Sequence, residues 1–171
     1  MTDSLPAPID RYHPRRMEKD MPDQAEQLEV LQVQSVMTLA MCRNQEPYLV
    51  SLDYVYVPAE NCFYAHSATS GKKLDILRGN PHVWGQVVED RGAVAGRCTH
   101  SYRSVMFAGQ VEFVDDSAAK MRALERMIEK YEPDPEASKA RMLQQGQIDR
   151  VVVLRIKVTA FSGKQSPPPG K

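Results

Sequence analysis

Short apolar runs separated by turn-forming residues occupy most of the chain and predict a β-rich fold. In residues 48–57, apolar side chains stand on both alternating faces, which predicts a strand buried on both sides. Short turns at residues 44–47 and 58–61 favour antiparallel pairing of the strands that they join. The six predicted strands are residues 36–43, 48–57, 62–66, 82–88, 103–114 and 150–161. The last is too long to stay flat, so we expect a bend or bulge, and closure into a barrel would remove the exposed edges.

Helical spacing appears between these strands and in front of them. Residues 117–131 carry an apolar stripe, and Asp116 or Ser117 can cap the helix. A shorter helix over residues 72–78 would stop at Gly79-Asn80-Pro81. Further helices are predicted within residues 21–31 and within 136–145, the latter ending at Gly146. The boundaries we expect are a loose arm at 1–14, one domain at 15–164 and a Pro-rich tail at 165–171.

Composition limits the classes of protein to which the chain can belong. The 171 residues are 42% hydrophobic and 26% charged, which is typical of a folded soluble domain. The longest apolar run has four residues (151–154), whereas a membrane span needs about 20. Residues 1–20 contain no apolar stretch of the kind found in a secretory signal, so we expect a cytoplasmic protein. Twenty-two basic and 22 acidic residues give zero net charge, without the basic excess of a nucleic-acid-binding protein.

The cysteines and histidines offer no metal site or disulfide framework. The chain has three cysteines, an odd number, at Cys42, Cys62 and Cys98. Neither a CxxC nor an HExxH pattern occurs. We therefore expect reduced, mostly buried thiols.

The chemistry is richest where the third strand passes into the next helix, in the sequence HSATSGKKLD at residues 66–75. The free N–H groups of a helix N-terminus bind phosphate well. The hydroxyls of Ser67 and Ser70 add donors, and Lys72 or Lys73 adds a full charge. The structural alternative is that Ser70 only caps the helix and that both lysines are only solvated. No Walker motif is present.

A second polar segment, residues 99–105, combines hydroxyls with Tyr102 and Arg103. This mixture could bind an anionic, aromatic ligand, but composition alone favours an exposed edge strand. Trp84 is the only tryptophan, and its place on a strand favours a core position.

Four stretches together resemble the pyridoxamine 5'-phosphate oxidase-like flavin-binding proteins, and among these the nitroimidazole-resistance branch. They are PYLVSLDYVY, FYAHSATSGKKLDILRGNP, SYRSVMFAGQVEFVDD and FSGK, at residues 47–56, 63–81, 101–116 and 161–164. The resemblance covers residues 15–164. Residues 133–147 match the group less well and indicate a local variation.

The resemblance implies a mainly β (α+β) fold, a six-stranded antiparallel split β-barrel with flanking helices. It also implies a homodimer that binds FMN at the subunit interface. The implied cofactor-binding residues fall into four groups. Val50, Ser51 and Leu52 would lie beside the ring, and His66, Ser67 and Ala68 beside the flavin and its ribityl chain. Lys73, and more weakly Lys72, would contact the phosphate, and Tyr102, Arg103 and Ser104 would complete the phosphate and ring contacts. Ser51 departs from the proline of many relatives.

The activity that the resemblance implies is an FMN-dependent oxidoreductase that passes electrons or hydride to a small acceptor such as a nitroaromatic. Vitamin B6 oxidation is not expected, because an Arg-rich C-terminal region is replaced by FSGKQSPPPGK. The alternatives are a flavin carrier without turnover, a deazaflavin enzyme, and a haem protein with ligands among His66, His82 and His100. No catalytic residue is assigned, although His66 is the one histidine expected near the ring.

Overall fold

The computed structural model describes residues 16–166. The predicted arm at 1–14 and the tail beyond residue 166 lie outside the described residues. One antiparallel sheet of seven strands, ordered β2-β1-β5-β6-β7-β4-β3, forms the centre of the molecule. Its strands are β1 (Val36–Arg43), β2 (Glu46–Asp53), β3 (Val55–Val57), β4 (Cys62–Ala68), β5 (His82–Val94), β6 (Thr99–Phe113) and β7 (Val151–Ser166). The β-rich, antiparallel prediction is confirmed.

Five α-helices flank this sheet. They are α1 (Gln24–Val33), α2 (Lys72–Gly79), α3 (Ser117–Tyr131), α4 (Pro135–Met142) and α5 (Gln145–Ile148), with 3₁₀ turns at Met17–Lys19 and Pro58–Glu60. The Asp116 side chain caps α3 by accepting a 2.8 Å hydrogen bond from the Ala119 N–H. Asp23 caps α1 in the same way, so that helix begins three residues later than predicted. The predicted stop at Gly146 is wrong, because this glycine lies inside α5.

The predicted strand 48–57 begins earlier and is divided in two, so the sheet has seven strands where six were predicted. Asn44 and Gln45 alone form the turn, with φ of 52° and 66°, and Glu46 already pairs with β1. At Tyr54 the chain leaves the ladder, and its N–H donates to the Tyr131 hydroxyl at 2.8 Å. Barrel closure is not confirmed: the sheet ends at β2 and β3, although these two edges are consecutive in the chain.

Aromatic side chains fill the space around which the sheet curls. The rings of Phe63 and Phe107 stack with centroids 4.2 Å apart, and Tyr56 and Phe161 pack at their edges. Phe107 needs a glycine opposite it, because a Cβ added to Gly85 would lie 2.0 Å from its ring. The position of the Phe107 ring therefore depends on the absence of a side chain at Gly85 on the neighbouring strand.

The long strand β7 contains the predicted irregularity. Ala108 of β6 pairs with Ala160, but Gly109 pairs with Val158, so Thr159 is an extra residue in β7. Such a bulge bends a strand and increases its twist. The part of β7 before the bulge therefore pairs with both β4 and β6, and the part after it pairs with β6.

The outer side of β1, β2 and β5 is exposed in the single chain. Cross-strand register places Leu49, Ala40 and Trp84 in one row on this side. Leu49 is 63% exposed and Trp84 45% exposed. The predictions of a strand buried on both sides and of a core tryptophan are therefore wrong for one chain, because the outer side of β2 is uncovered. We call this surface, with Val36 and Val88, the open face.

Candidate functional site

The first turn of α2 begins without a side-chain cap. Its N-cap residue is Gly71, whose φ of +132° favours glycine, and no side chain accepts a hydrogen bond there. Ser70 therefore does not act as the N-cap. The Gly71 carbonyl accepts the N–H groups of Leu74 and Asp75, which leaves the N–H groups before them directed toward an incoming anion.

The two lysines of this turn differ in their surroundings. Lys72 pairs with the Glu46 carboxylate at 3.0 Å, and its ammonium lies 4.9 Å from the centre of the Tyr48 ring. Lys73 is half-buried, and burial lowers the pKa of its ammonium. Within residues 16–166 it has no carboxylate partner. Because burying an unpaired charge costs free energy, Lys73 is the better candidate for binding an anion.

The strand predicted beside the ring has two different faces. Leu52 is buried and Val50 packs against the same core, whereas the Ser51 side chain is exposed. β2 is also an edge of the sheet, so it offers unpaired backbone groups along one side. A flat ligand at this edge could therefore contact the Ser51 hydroxyl and the backbone of Val50 and Leu52.

His66, Ser67 and Ala68 form the end of β4, opposite Val153 and its neighbours on β7. His66 is exposed, and its imidazole makes no hydrogen bond with any residue of the described segment. It is one of the residues that line a cleft of about 530 Å³, together with Asp53. This part of the predicted site therefore adjoins both α2 and the cleft.

Tyr102, Arg103 and Ser104 lie on a central strand, so the edge-strand interpretation of residues 99–105 is wrong. Arg103 is only 6% exposed and points to the inner side. Its guanidinium donates to Glu29 at 2.6 Å and to Glu89 at 3.1 Å, and these hydrogen bonds hold its pKa above the usual range. Tyr102 and Ser104 alternate with it along the strand, and Ser104 is itself buried, with its hydroxyl donating to the Lys164 carbonyl at 3.4 Å. The Arg103 guanidinium is thus already paired with carboxylates, one of them on α1.

The predicted residues form two separate groups within one chain. His66 pairs with Val153 on β7, and Ser104 pairs with Lys164. These partners are eleven residues apart in β7, with the bulge at Thr159 between them. Tyr102 and Ser104 therefore lie opposite the far end of β7 from the residues that pair with β4.

Two further histidines of the described segment, His82 and His100, do not line the cleft. His100 pairs with Asp90 at 2.9 Å, and His82 begins β5 away from the cleft. Residues 16–166 contain no cluster of three or more His, Cys, Asp or Glu side chains suited to a metal ion. The same residues include no helix with the length and apolarity required to cross a bilayer.

Sequence reasoning missed the walls of the cleft and the carboxylates that engage Arg103. The cleft is lined mainly by α3 and by the segment from α4 to α5. For residues 133–147 the sequence predicted only a local variation. The ion pairs of Glu29 and Glu89 join residues far apart in the chain, and no local motif indicates them.

Comparison with solved structures finds the same fold in several other proteins. A candidate 5-nitroimidazole antibiotic resistance protein from Bacteroides thetaiotaomicron is 23% identical, with 85% of each chain covered and a TM-score of 0.69. A flavocytochrome from Azotobacter vinelandii is 22% identical, covering 97% of this chain and 79% of that one, with a TM-score of 0.80. An FAD-binding protein from Mesorhizobium loti is 28% identical, covering 84% and 95%, with a TM-score of 0.58.

The sequence was also compared with curated proteins and with family profiles. No curated protein matches it. The profile of the family described as pyridoxamine 5'-phosphate oxidase matches residues 23–165, which includes every described strand and helix except the first 3₁₀ turn and the last residue of β7. The chain therefore belongs to the pyridoxamine 5'-phosphate oxidase family.

Proposed function

We propose that this protein is a flavin-dependent oxidoreductase that binds FMN and passes electrons or hydride to a small acceptor such as a nitroaromatic. The observation that carries the proposal is the half-buried ammonium of Lys73, without a carboxylate partner in the described chain, beside the uncapped start of α2. A dianionic phosphate would supply the missing negative charge. The flavin binding of related proteins supports the same assignment.

The residues present fit a flavin that is held at its phosphate and along its ring. Lys73 and the first N–H groups of α2 would hold the phosphate. Ser51 and the backbone of Val50 and Leu52 would orient the ring, with His66, Ser67 and Ala68 beside it. When bound, the flavin supplies the redox chemistry, and the protein supplies orientation and electrostatics.

A homodimer with the flavin at its interface is the second part of the proposal. The open face exposes Leu49, Trp84 and Val88, which a second copy would cover. A partner chain would also bring its own Tyr102 and Ser104 toward the first chain's α2. Arg103 is not included among the ligands, because Glu29 and Glu89 occupy its donors. We place the protein in the cytoplasm, since all three cysteines are unpaired.

The first test is the absorption spectrum of the freshly purified protein, followed by heat release and mass identification of the chromophore. We expect a two-band flavin spectrum and released FMN. Released FAD would move the proposal to a larger cofactor at the same site. A colourless protein that binds neither compound would overturn the proposal.

The phosphate contact is tested by replacing the two neighbouring lysines one at a time. A charge-assisted hydrogen bond contributes about 1.5–3 kcal/mol, so Lys73→Ala should weaken FMN binding by about 10- to 100-fold. Lys72→Ala is the matched control, because an exposed ion pair such as Lys72–Glu46 contributes only about 0–1 kcal/mol. Equal effects of both substitutions in a fluorescence titration would show that the phosphate binds elsewhere.

Turnover separates the enzyme from a carrier. We expect NADH or NADPH oxidation that depends on a nitroaromatic or quinone acceptor and exceeds the rate with free FMN. A flavin-loaded protein without such a rate would be a carrier.

Haem is the alternative ligand, because His66 stands beside the cleft. A Soret band on haem titration, lost in His66→Ala, would favour it.

A further inference from the structure

A second concave site lies next to the proposed flavin site. It is the cleft of about 530 Å³ between α3 and the segment from α4 to α5. Volumes of this size are typical of pockets that bind small molecules. Its lining includes His66 and Asp53, near the ends of β4 and β2. The cleft is therefore continuous with residues that the proposed function places beside the flavin.

Hydrogen bonds and ion pairs hold the two walls of the cleft together. The Lys139 ammonium pairs with Glu129 of α3 at 2.8 Å. The buried Ser138 hydroxyl donates to Glu132 at 3.0 Å, just beyond the end of α3. Asp134 caps α4 through the Ala137 N–H at 3.1 Å. The cleft is thus a built feature of the fold and not a gap beside a loose segment.

Apolar side chains form most of the lining. The α3 wall and the opposite wall together present Leu124, Met127, Ile128, Met142, Leu143 and Ile148. Thioethers such as those of Met127 and Met142 adapt to ring-shaped ligands and favour contact with aromatic edges. Two carboxylates, Asp53 and Glu132, accompany one guanidinium, so the lining does not favour an anion. A neutral ring compound fits this chemistry best.

We propose that this cleft binds a neutral, mainly apolar ring compound of the quinone class, and that this compound is the electron acceptor. The role as acceptor rests on the proposed flavin-dependent function, whereas the binding site itself does not. In the overall reaction, NADH and one solvent proton convert a quinone to its hydroquinone and leave NAD⁺. Residues 133–147, which contribute to one wall of the cleft, would then give this chain its own acceptor specificity.

Duroquinone is a suitable probe, because its fully substituted ring does not alkylate thiols. Equilibrium dialysis against the purified full-length protein gives its Kd without any need for turnover. Met142→Trp places a larger side chain in the cleft at a residue that is 44% exposed, so the fold should persist. We expect it to raise the Kd at least tenfold. Ala140→Trp is the matched control, since it adds the same ring to an exposed position of the same helix.

Met142→Gln gives a second route to the same answer if the larger side chain unfolds the protein. It keeps the length of the side chain but removes apolar contact, and it should raise the Kd about three- to tenfold. No duroquinone binding, binding that Met142→Trp and Met142→Gln leave unchanged, or binding that Ala140→Trp weakens as much as Met142→Trp does, would overturn the proposal. Cleft-dependent binding to a protein without flavin would retain the site and reject its role as acceptor site. Flavin-dependent turnover with an unchanged KM in Met142→Trp would reject the site and retain the proposed function.

Discussion

The outer side of the sheet has two regions, and helices of the chain cover only one of them. On the covered side, Cys62 and Tyr64 of β4 pack against Ala123 of α3. The Tyr64 hydroxyl donates to Glu60 at 2.6 Å, and Arg126 of α3 donates to the same carboxylate at 2.5 Å. On the open face, Leu49 and Trp84 stand exposed beside Val88.

The difference follows from the connections between strands. α3 follows β6 and contacts β4 and β7, whereas the two-residue turn between β1 and β2 supplies no helix to the outer side of these strands within residues 16–166. Alternating apolar residues therefore do not tell which faces one chain buries. Exposed apolar residues grouped in cross-strand rows are typical of a surface that binds another protein. This comparison is the physical basis for proposing a dimer through the open face.

The largest effect is expected from a charge at the centre of the open face. Trp84→Glu would bury a carboxylate in an apolar interface, which costs several kcal/mol. We expect the dimer dissociation constant to rise at least 100-fold in sedimentation velocity, together with loss of bound flavin. The monomer should remain folded, because the Trp84 side chain is already 45% exposed.

A matched substitution on another surface isolates the role of the open face. Val33→Glu alters a residue at the end of α1 that is 62% exposed and lies outside the open face. It should leave the association state unchanged. A monomeric wild-type protein that still binds flavin would reject the interface, and so would a Trp84→Glu variant that dimerises normally.

The covered side can be tested at the contact that joins α3 to the break between β2 and β3. The Tyr131 hydroxyl accepts a 2.8 Å hydrogen bond from the Tyr54 N–H and lies 2.7 Å from the Tyr54 carbonyl. Tyr131→Phe removes this group and leaves a partly buried amide without its best acceptor, at a cost of about 1–2 kcal/mol. Urea unfolding should show a lower midpoint with an unchanged slope, and an unchanged midpoint would contradict this role of the hydroxyl.

Much of the fold could be predicted because its signals are local. The bounds of β1 and α3 follow from apolar periodicity and from Asp116, which acts on the first turn of its own helix. The break at Tyr54 could not be predicted, because its cause is a hydrogen bond to Tyr131, 77 residues further along the chain. Local patterns thus predict elements but not the tertiary contacts that interrupt them.

The candidate site was predictable to a similar degree. The segment of Lys72 and Lys73 indicated an anion site, but only the Glu46 ion pair distinguishes the two lysines. The motif predicted Arg103 as a flavin ligand, but its guanidinium already forms ion pairs with Glu29 and Glu89, which lie on other elements. The chemistry of a segment can therefore be inferred from its residues, while the availability of each side chain depends on the fold.

The smallest effect is expected from the pH dependence of Lys130, which lies on the covered side. Its ammonium donates to the Gln34 carbonyl at 2.6 Å and lies 3.9 Å from the centre of the Tyr54 ring. Burial lowers its pKa to about 8, against about 10.4 in an unfolded chain. Between these values the unfolded chain holds more protons, so the free energy of unfolding rises with pH. Below pH 8 the Lys130 side chain is protonated in both the folded and the unfolded chain, and the free-energy cost of burying its charge is fully present.

Lys130→Gln removes this titration and leaves the other titratable groups in place. The stability of the wild-type protein relative to this variant should therefore increase from pH 8 to pH 10, as measured by urea unfolding at each pH. Burial raises the pKa of the Tyr54 and Tyr131 phenols in the folded protein, so their ionisation in the unfolded chain lowers stability mainly near and above pH 10. Parallel pH profiles would mean that the Lys130 ammonium is as well solvated in the folded protein as in the unfolded chain, and that α3 covers this side less tightly than its contacts indicate.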